Sequence, residues 1–167
     1  DRISLIFTAA DKRLYVSNDN GAHWKTQCKV RGTIFCVAIH PKQSGTLLMG
    51  TEMGLWKSRD NGVSWQPSSQ GLPSGAVYKV AYDTHNYSRC YALMSSGLYK
   101  SENSGESWTR IQVTFAQEAL DLTEPEELQD SEESTDDLPH SFFVDPRTGA
   151  LYLGTTHGVA TSTNEGS

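Results

Sequence analysis

Ser58-Arg-Asp-Asn-Gly-Val-Ser-Trp65 is the second of four copies of one short phrase in this chain of 167 residues. Similar copies occupy residues 17–24 and 101–108, and a shortened copy occupies residues 162–167. Repetition at a period of about 40–45 residues is typical of a propeller, in which each repeat forms one four-stranded blade. The spacing of the copies therefore predicts an all-β chain built of four-stranded antiparallel blades.

Each copy of the phrase is predicted to form a hairpin turn, because it follows one strand-like apolar run and precedes another. Asp and Asn bond to their own backbone, glycine adopts positive φ freely, and the serine hydroxyl can satisfy a further turn amide. The tryptophan begins the next strand and offers a large apolar surface for packing between neighbouring sheets. The residues given this structural role are Ser17, Asp19, Gly21, Trp24, Ser58, Asp60, Gly62, Trp65, Ser101, Asn103, Gly105, Trp108, Ser162, Asn164 and Gly166.

A calcium loop is the functional alternative for the same turns, since Asp and Asn also precede Gly in EF-hand loops. The spacing argues against it, because no bidentate Glu follows at the twelfth position and no flanking helices are predicted. We therefore expect no metal and no cofactor, and we assign no catalytic residue.

The repeats predict fourteen strands, named A to D within each blade, which amount to about three and a half blades. We expect residues 1–167 to form one propeller segment that belongs to a larger propeller or closes with another chain, since an open arc leaves sheet edges exposed. In strand A of the first full repeat, Phe35, Val37 and Ile39 alternate as one apolar face. The predicted strands are 3–9, 13–16, 23–30, 33–40, 46–50, 54–58, 64–67, 76–82, 90–94, 97–101, 107–113, 141–144, 150–154 and 158–162.

An acidic segment interrupts the period at residues 115–139, where 118–137 hold ten acidic residues and no Lys or Arg. The whole chain has a net charge of −6, so the rest of it is net positive. We interpret the segment as a solvated loop insertion. The alternative is a tethered flap or a docking segment for a basic partner. Nucleic-acid binding is disfavoured, because no basic stripe with interleaved aromatics is present and the segment repels phosphate.

The sequence has no run of 18 apolar residues, so we predict no membrane span. Cys28, Cys36 and Cys90 show no metal-ligand spacing, and we interpret Cys36 as a buried small apolar residue and expect no Cys28–Cys90 pair. Asn86-Tyr-Ser88 matches a glycosylation sequon. We expect an extracytoplasmic chain that is secreted, periplasmic or lumenal.

Ser-x-Asp-x-Gly-x-x-Trp is the Asp-box, also called the BNR repeat, and the stretch from Phe35 through Pro41 to Gly50-Thr-x-x-Gly-Leu-Trp-Lys-Ser58 also resembles Asp-box propellers. This family includes sialidases, xyloglucan-cleaving glycoside hydrolases, sortilin-type receptors and photosystem II assembly factors. The third and fourth copies carry Asn103 and Asn164 in place of Asp, which preserves the local bonds of the turn. The resemblance implies a β-propeller fold but does not choose among activities.

In an antiparallel blade the B–C and D–A connections share one face, and related propellers generally use that face for ligands. Glu52 and His157 occupy comparable B–C corners, although a single His in an exposed turn is more often a solvated residue than a catalyst. The candidate ligand-face residues are Arg13, Arg31, Glu52, Met53, Ser96 and His157.

The resemblance leaves two functions open. The first is a non-catalytic recognition or scaffold module that binds a protein or glycan ligand. The alternative is part of a glycoside hydrolase, sialidase-like or xyloglucanase-like, whose catalytic groups lie largely outside this segment. Glycosidases use two carboxylates across the scissile bond. Sialidases share an arginine triad, a Tyr nucleophile and an Arg-Ile-Pro phrase, whereas Arg2-Ile3 is followed here by Ser4. The sequence therefore favours recognition over catalysis.

Overall fold

The computed structural model describes residues 5–112, 140–155 and 158–162. The predicted acidic insertion at 115–139, the candidate residue His157 and the turn residues Asn164 and Gly166 lie outside the described residues. Within the described part the chain forms fourteen strands and no helix, as four antiparallel sheets. The all-β prediction of four-stranded antiparallel blades is therefore confirmed.

The strands run in chain order through the four sheets, so that each sheet is a simple meander. The first sheet holds β1–β3, the second β4–β7, the third β8–β11 and the fourth β12–β14. The strands are β1 (Ile6–Ala10), β2 (Arg13–Ser17), β3 (Lys25–Lys29), β4 (Ile34–Ile39), β5 (Leu47–Thr51), β6 (Gly54–Ser58), β7 (Gln66–Pro67), β8 (Val77–Tyr82), β9 (Cys90–Met94), β10 (Gly97–Ser101), β11 (Thr109–Arg110), β12 (Ser141–Val144), β13 (Leu151–Thr155) and β14 (Gly158–Ser162).

The D strands β7 and β11 begin at Gln66 and Thr109, later than the predicted starts at residues 64 and 107. The turn chemistry explains the correction. The N–H of Ser64 donates to Asp60 Oδ1 at 2.9 Å, and the N–H of Ser107 donates to Asn103 Oδ1 at 2.9 Å. These amides are bonded to the turn and begin no sheet ladder. The other predicted bounds differ from the observed ones by a few residues at most.

The phrase at 58–65 forms a tight turn around one serine hydroxyl. Ser58 Oγ donates to Asp60 Oδ1 at 2.8 Å and accepts the N–H of Gly62 at 2.8 Å. Asn61 and Gly62 both adopt positive φ, at 59° and 80°. The first and third copies repeat these bonds, since Gly21 and Gly105 donate to their serines at 2.9 Å and 2.8 Å.

The apolar faces of the sheets are buried against one another rather than against helices. One core cluster joins Leu48 and Leu55 of the second sheet to Val77 and Met94 of the third, and another joins the third sheet to the fourth. Strands β4 and β8 contact each other. The first strands of neighbouring blades therefore lie side by side, as the radial packing of a propeller requires.

The repeat tryptophans pack between sheets wherever a described sheet precedes them. Trp108 is 4% exposed, and its Nε1 donates at 2.8 Å to the carbonyl of Ser68, which directly follows β7 of the preceding sheet. Trp65 is half-buried in a cluster with Leu14 of the first sheet. Trp24 is 42% exposed, contrary to expectation, because no described sheet precedes it.

His40 performs the turn-forming role that Asp83 and Asp145 perform in the next two sheets. Its Nδ1 accepts the N–H groups of Lys42 and Gln43 at 3.1 Å and 2.9 Å. Asp83 Oδ1 and Asp145 Oδ1 accept N–H groups at the corresponding turns. Because Nδ1 is an acceptor, the ring proton lies on Nε2, which is buried. Burial, aided by the nearby charge of Lys57, lowers the pKa of His40.

We predict that Gly71→Ala destabilises the chain more than Gly21→Ala does. Both glycines have similar positive φ, 87° and 90°. An added Cβ would lie 2.1 Å from the Trp108 carbonyl oxygen at Gly71, but no closer than 3.7 Å to any neighbour at Gly21. Backbone strain alone costs about 1–2 kcal/mol, and the clash adds about 1–3 kcal/mol. Urea unfolding measures both variants, and equal losses would contradict the close contact.

We also predict that the free energy of unfolding falls as the pH falls from 8 to 5, in part through His40. The folded pKa lies below the ordinary value, so the unfolded state binds more protons and stability rises with pH. His40→Asn keeps an acceptor but does not titrate, so it should flatten this dependence near pH ~6.5.

The matched control for His40 is His85→Asn, since His85 is exposed in the corresponding turn of the third sheet. Unfolding curves at several pH values compare the two variants with the parent chain. An unchanged pH dependence in His40→Asn would contradict the assigned role.

Candidate functional site

The B–C and D–A connections of the first two sheets are joined by backbone hydrogen bonds. The N–H of Ile34 donates to the carbonyl of Asp11 at 2.9 Å, and the N–H of Val30 donates to that of Lys12 at 3.0 Å. The N–H of Glu52 donates to the carbonyl of Thr33 at 2.9 Å. We call the connections at 11–12, 30–33, 52–53, 68–76 and 95–96 the loop face.

Of the predicted candidates, Glu52 and Met53 lie against the connection that carries Arg31. Glu52 Oε2 accepts the N–H of Thr33 at 3.2 Å, so its carboxylate holds the 30–33 connection in place. A Cβ added to Gly32, which has φ of 79°, would lie 3.1 Å from Met53 Cγ and 3.2 Å from Glu52 Oε2. The connection therefore packs closely against the corner formed by Glu52 and Met53.

Arg13 and Ser96 stand apart from that corner. Arg13 begins β2 and is the register partner of Lys29 in β3, so two exposed cations lie directly opposite each other. Like charges in that position disfavour the pairing. Neither residue forms an ion pair within the described part of the chain. Ser96 lies in the third sheet, where its Oγ is 3.2 Å from the hydroxyl of Tyr99.

The sequence interpretation missed an exposed aromatic pair formed by Phe35 and Tyr78. Their rings lie 5.3 Å apart at an interplanar angle of 49°. Phe35 is 44% exposed and Tyr78 is 46% exposed. The prediction that Phe35 and Ile39 belong to one apolar face of β4 is therefore wrong, because both side chains are exposed.

A β-bulge explains why each of these rings points outward. In β4 the register passes from Ile34 to Cys36, and in β8 it passes from Val77 to Lys79. Phe35 and Tyr78 are the extra residues at these two breaks, and a bulge redirects the side chain that it carries. Phe35 and Tyr78 each follow a D–A connection, so they lie near the loop face, close to the starts of β4 and β8. An aromatic residue at the same place in two repeats was the available sequence signal.

Burial raises the pKa of each of the three thiols. Cys28, Cys36 and Cys90 are free, and Cys36 is half-buried rather than fully buried. Burial raises the pKa of Cys36 to about 11 and that of Cys90 to about 12. Both therefore remain protonated near neutral pH and are poor nucleophiles and metal ligands. Among the described residues, no cluster of three or more His, Cys, Asp or Glu side chains is arranged to hold a metal ion.

On the opposite face, an ion pair between buried Lys57 and exposed Glu106 connects the second and third sheets. Lys57 Nζ donates to the carbonyl of Ser104 at 2.7 Å and to Glu106 Oε1 at 2.6 Å. Arg59 also forms an ion pair with the carboxylate of Glu106. The pKa of Glu106 is lowered, and the hydrogen bond from Lys57 is the largest cause. These groups use their hydrogen bonds on one another, so the cluster serves to hold neighbouring blades together.

Comparison with known proteins yields both enzymes and binding proteins. No family model matches the chain. The chain is 31% identical over 128 residues to a xyloglucanase from Hypocrea jecorina (strain QM6a). The aligned region covers 72% of this chain and 15% of that protein. It is 35% identical over 80 residues to vacuolar protein sorting/targeting protein 10 from Zygosaccharomyces rouxii, which covers 47% of this chain and 5% of that one.

Among solved structures, an ancestral GH74 enzyme has a TM-score of 0.73 and 25% identity, covering 97% of this chain and 21% of that one. YCF48 bound to D1 peptide has a TM-score of 0.62 and 17% identity, covering 96% of this chain and 48% of that one. The extracellular domain of a one component system from B. thetaiotaomicron has a TM-score of 0.61 and 17% identity. That match covers 90% of this chain and 18% of the other one. At these identities, the last two likenesses concern the fold alone.

The chain thus spans less than half the length of each relative and solved structure named above. None of the described residues forms a helix long and apolar enough to cross a membrane. The propeller fold is supported by the four meandering sheets, by their side-by-side packing and by these similarities. The chain is a member of the β-propellers of the BNR-repeat type.

Proposed function

We propose that this chain is a non-catalytic recognition module that binds a glycan across its loop face. The observation that carries the proposal is the exposed Phe35–Tyr78 pair, which two equivalent β-bulges present beside that face. An extracytoplasmic location accompanies this proposal, since secreted polysaccharides are found there.

The aromatic pair has the chemistry that sugars require. A pyranose ring has one face of C–H groups, and an aromatic ring stacks on that face while water still solvates the hydroxyl groups. Two rings 5.3 Å apart form a continuous apolar surface. Neither ring is needed in the core, since the core clusters contain neither Phe35 nor Tyr78. Exposed aromatic patches of this kind mark interaction sites.

Polar groups for a bound sugar lie close by in the chain. Arg31 and Thr33 belong to the connection that leads directly into Phe35. Lys79 follows Tyr78, but its Nζ is engaged with the Phe142 carbonyl. A binding site typically combines an apolar surface with a few convergent polar groups. Xyloglucan oligosaccharide is the first probe, because a xyloglucanase is among the relatives.

Membership of a glycoside hydrolase is the second candidate, favoured by the 31% identity to a xyloglucanase. In that case the catalytic groups lie largely outside this segment. Glu52 is the one carboxylate among the predicted ligand-face residues, and it already accepts the N–H of Thr33. Asp11 is a second exposed carboxylate on the loop face, in the connection that accepts the N–H of Ile34. A glycosidase needs a second carboxylate across the scissile bond.

We predict that Phe35→Ala and Tyr78→Ala each weaken the binding of xyloglucan oligosaccharide by about tenfold or more, because each removes a stacking surface worth about 1.4 kcal/mol. Isothermal titration calorimetry gives the dissociation constants. The matched control is Phe143→Ala, since Phe143 is also exposed and pairs with Tyr152 at 6.5 Å but lies at no bulge. Equal weakening in the control, or no binding by the parent chain, would contradict the proposal.

We also predict that the chain alone does not hydrolyse xyloglucan, β-glucan or sialoside substrates. Release of reducing ends or free sialic acid is the measurement, with Glu52→Gln as the companion variant. Turnover that disappears in Glu52→Gln would replace the recognition proposal with the hydrolase one. The same variant leaves the acceptor for Thr33 in place, so a folding defect is not expected.

A further inference from the structure

We propose that Asn86 is an N-glycosylation site, with a lipid-diphosphate-linked oligosaccharide as the donor. Asn86-Tyr-Ser88 is the single Asn-x-Ser/Thr sequence in the chain. It lies in the turn between β8 and β9, which is an A–B turn and therefore opposite to the loop face. Both Asn86 and Ser88 are exposed. The proposal rests on the extracytoplasmic location that accompanies the proposed function, but not on glycan binding itself.

The turn that carries Asn86 is held by contacts within a few residues. Asp83 Oδ1 accepts the N–H of His85 at 2.7 Å and that of Asn86 at 3.2 Å. The N–H of Arg89 donates to the carbonyl of Asn86 at 2.8 Å. These bonds are local, and a further hydrogen bond from Thr84 Oγ1 to the carbonyl of Pro146 ties the turn to the fourth sheet.

The side chains of the sequon are arranged for transfer. Asn86 Oδ1 accepts the N–H of Ser88 at 3.1 Å, which leaves Nδ2 outside that bond. Neither Asn86 Nδ2 nor Ser88 Oγ has a hydrogen bond to any described residue. The nucleophilic nitrogen and the hydroxyl that the transferase requires two residues later are both available.

The chemistry of the step is a substitution at the sugar. Asn86 Nδ2 forms a bond to the anomeric carbon of the oligosaccharide, and the bond from that carbon to the diphosphate oxygen breaks. Nδ2 loses one proton, and the lipid diphosphate leaves with the bonding electrons. No oxidant or reductant is involved.

The fold tolerates a glycan at this position. Asn86 lies outside the ladder between β8 and β9, which begins at Tyr82 and Cys90. The contacts of the turn to other parts of the chain use neighbours of Asn86, since the Ser104 N–H donates to the carbonyl of Ser88 at 2.6 Å and Lys42 lies over the ring of Tyr87. A sugar on Asn86 Nδ2 therefore extends into solvent on the face opposite Phe35 and Tyr78.

The test is secretion of the chain, fused to a signal peptide, from a eukaryotic host. Mass spectrometry of the peptide that contains residue 86, before and after treatment with peptide N-glycosidase, reports the modification. We expect a glycan on the parent chain and on Ser88→Thr, and its complete loss in Asn86→Gln and Ser88→Ala. The exposed positions of both residues make these substitutions mild, and the two losses check each other.

An unmodified residue 86 in the parent chain, while other secreted proteins of the same culture carry N-glycans, would overturn the proposal. So would a glycan that survives in Asn86→Gln. The same peptide from the natural source should carry the glycan, and an unmodified peptide there would also overturn it. Xyloglucan binding by Asn86→Gln should match the parent, which separates this test from that of the proposed function.

Discussion

The rest of the structure depends on the hydrogen bonds that the serine hydroxyl makes in each Asp-box turn. Ser17, Ser58 and Ser101 are each 1% exposed, and each hydroxyl donates to an acid or amide oxygen and accepts a glycine N–H. A buried polar group left without its partner costs about 1–3 kcal/mol. The turn therefore has one favourable arrangement, and that arrangement sets where each C strand ends.

The same turn also docks one blade against the previous one. A Cβ added to Gly62 would lie 3.0 Å from Leu14 Cδ2, and one added to Gly105 would lie 3.0 Å from Leu48 Cδ2. Each leucine belongs to the preceding sheet. The glycine thus permits positive φ and close approach at once. Local turn chemistry and the packing between blades are consequently satisfied by the same few residues.

This coupling explains which features the sequence predicts. Gly54–Ser58, Cys90–Met94 and Gly97–Ser101 agree with their predicted bounds, because local turn residues delimit them. The bulges at Phe35 and Tyr78 were missed, because an extra residue in a strand depends on the register of its partner rather than on local composition. Trp24 was misjudged for a related reason, since its burial depends on a neighbouring sheet. Likewise, the loop face is assembled by backbone bonds, which leave no signature in side-chain type.

The two faces of the blades differ in how they use their polar groups. On the face that carries the Asp-box turns, hydrogen bonds from the side chain and backbone of Ser64 lower the pKa of Asp60 to about 2. On the same face, Glu106 accepts hydrogen bonds from Lys57 and Arg59. Groups that are satisfied internally have little left to offer a ligand. On the loop side, Arg13 and Lys29 face each other without a described counter-ion, and two aromatic rings remain in solvent. A fold that fixes its turns on one side is free to vary the other, and the proposed recognition site lies on the side where bonding capacity remains.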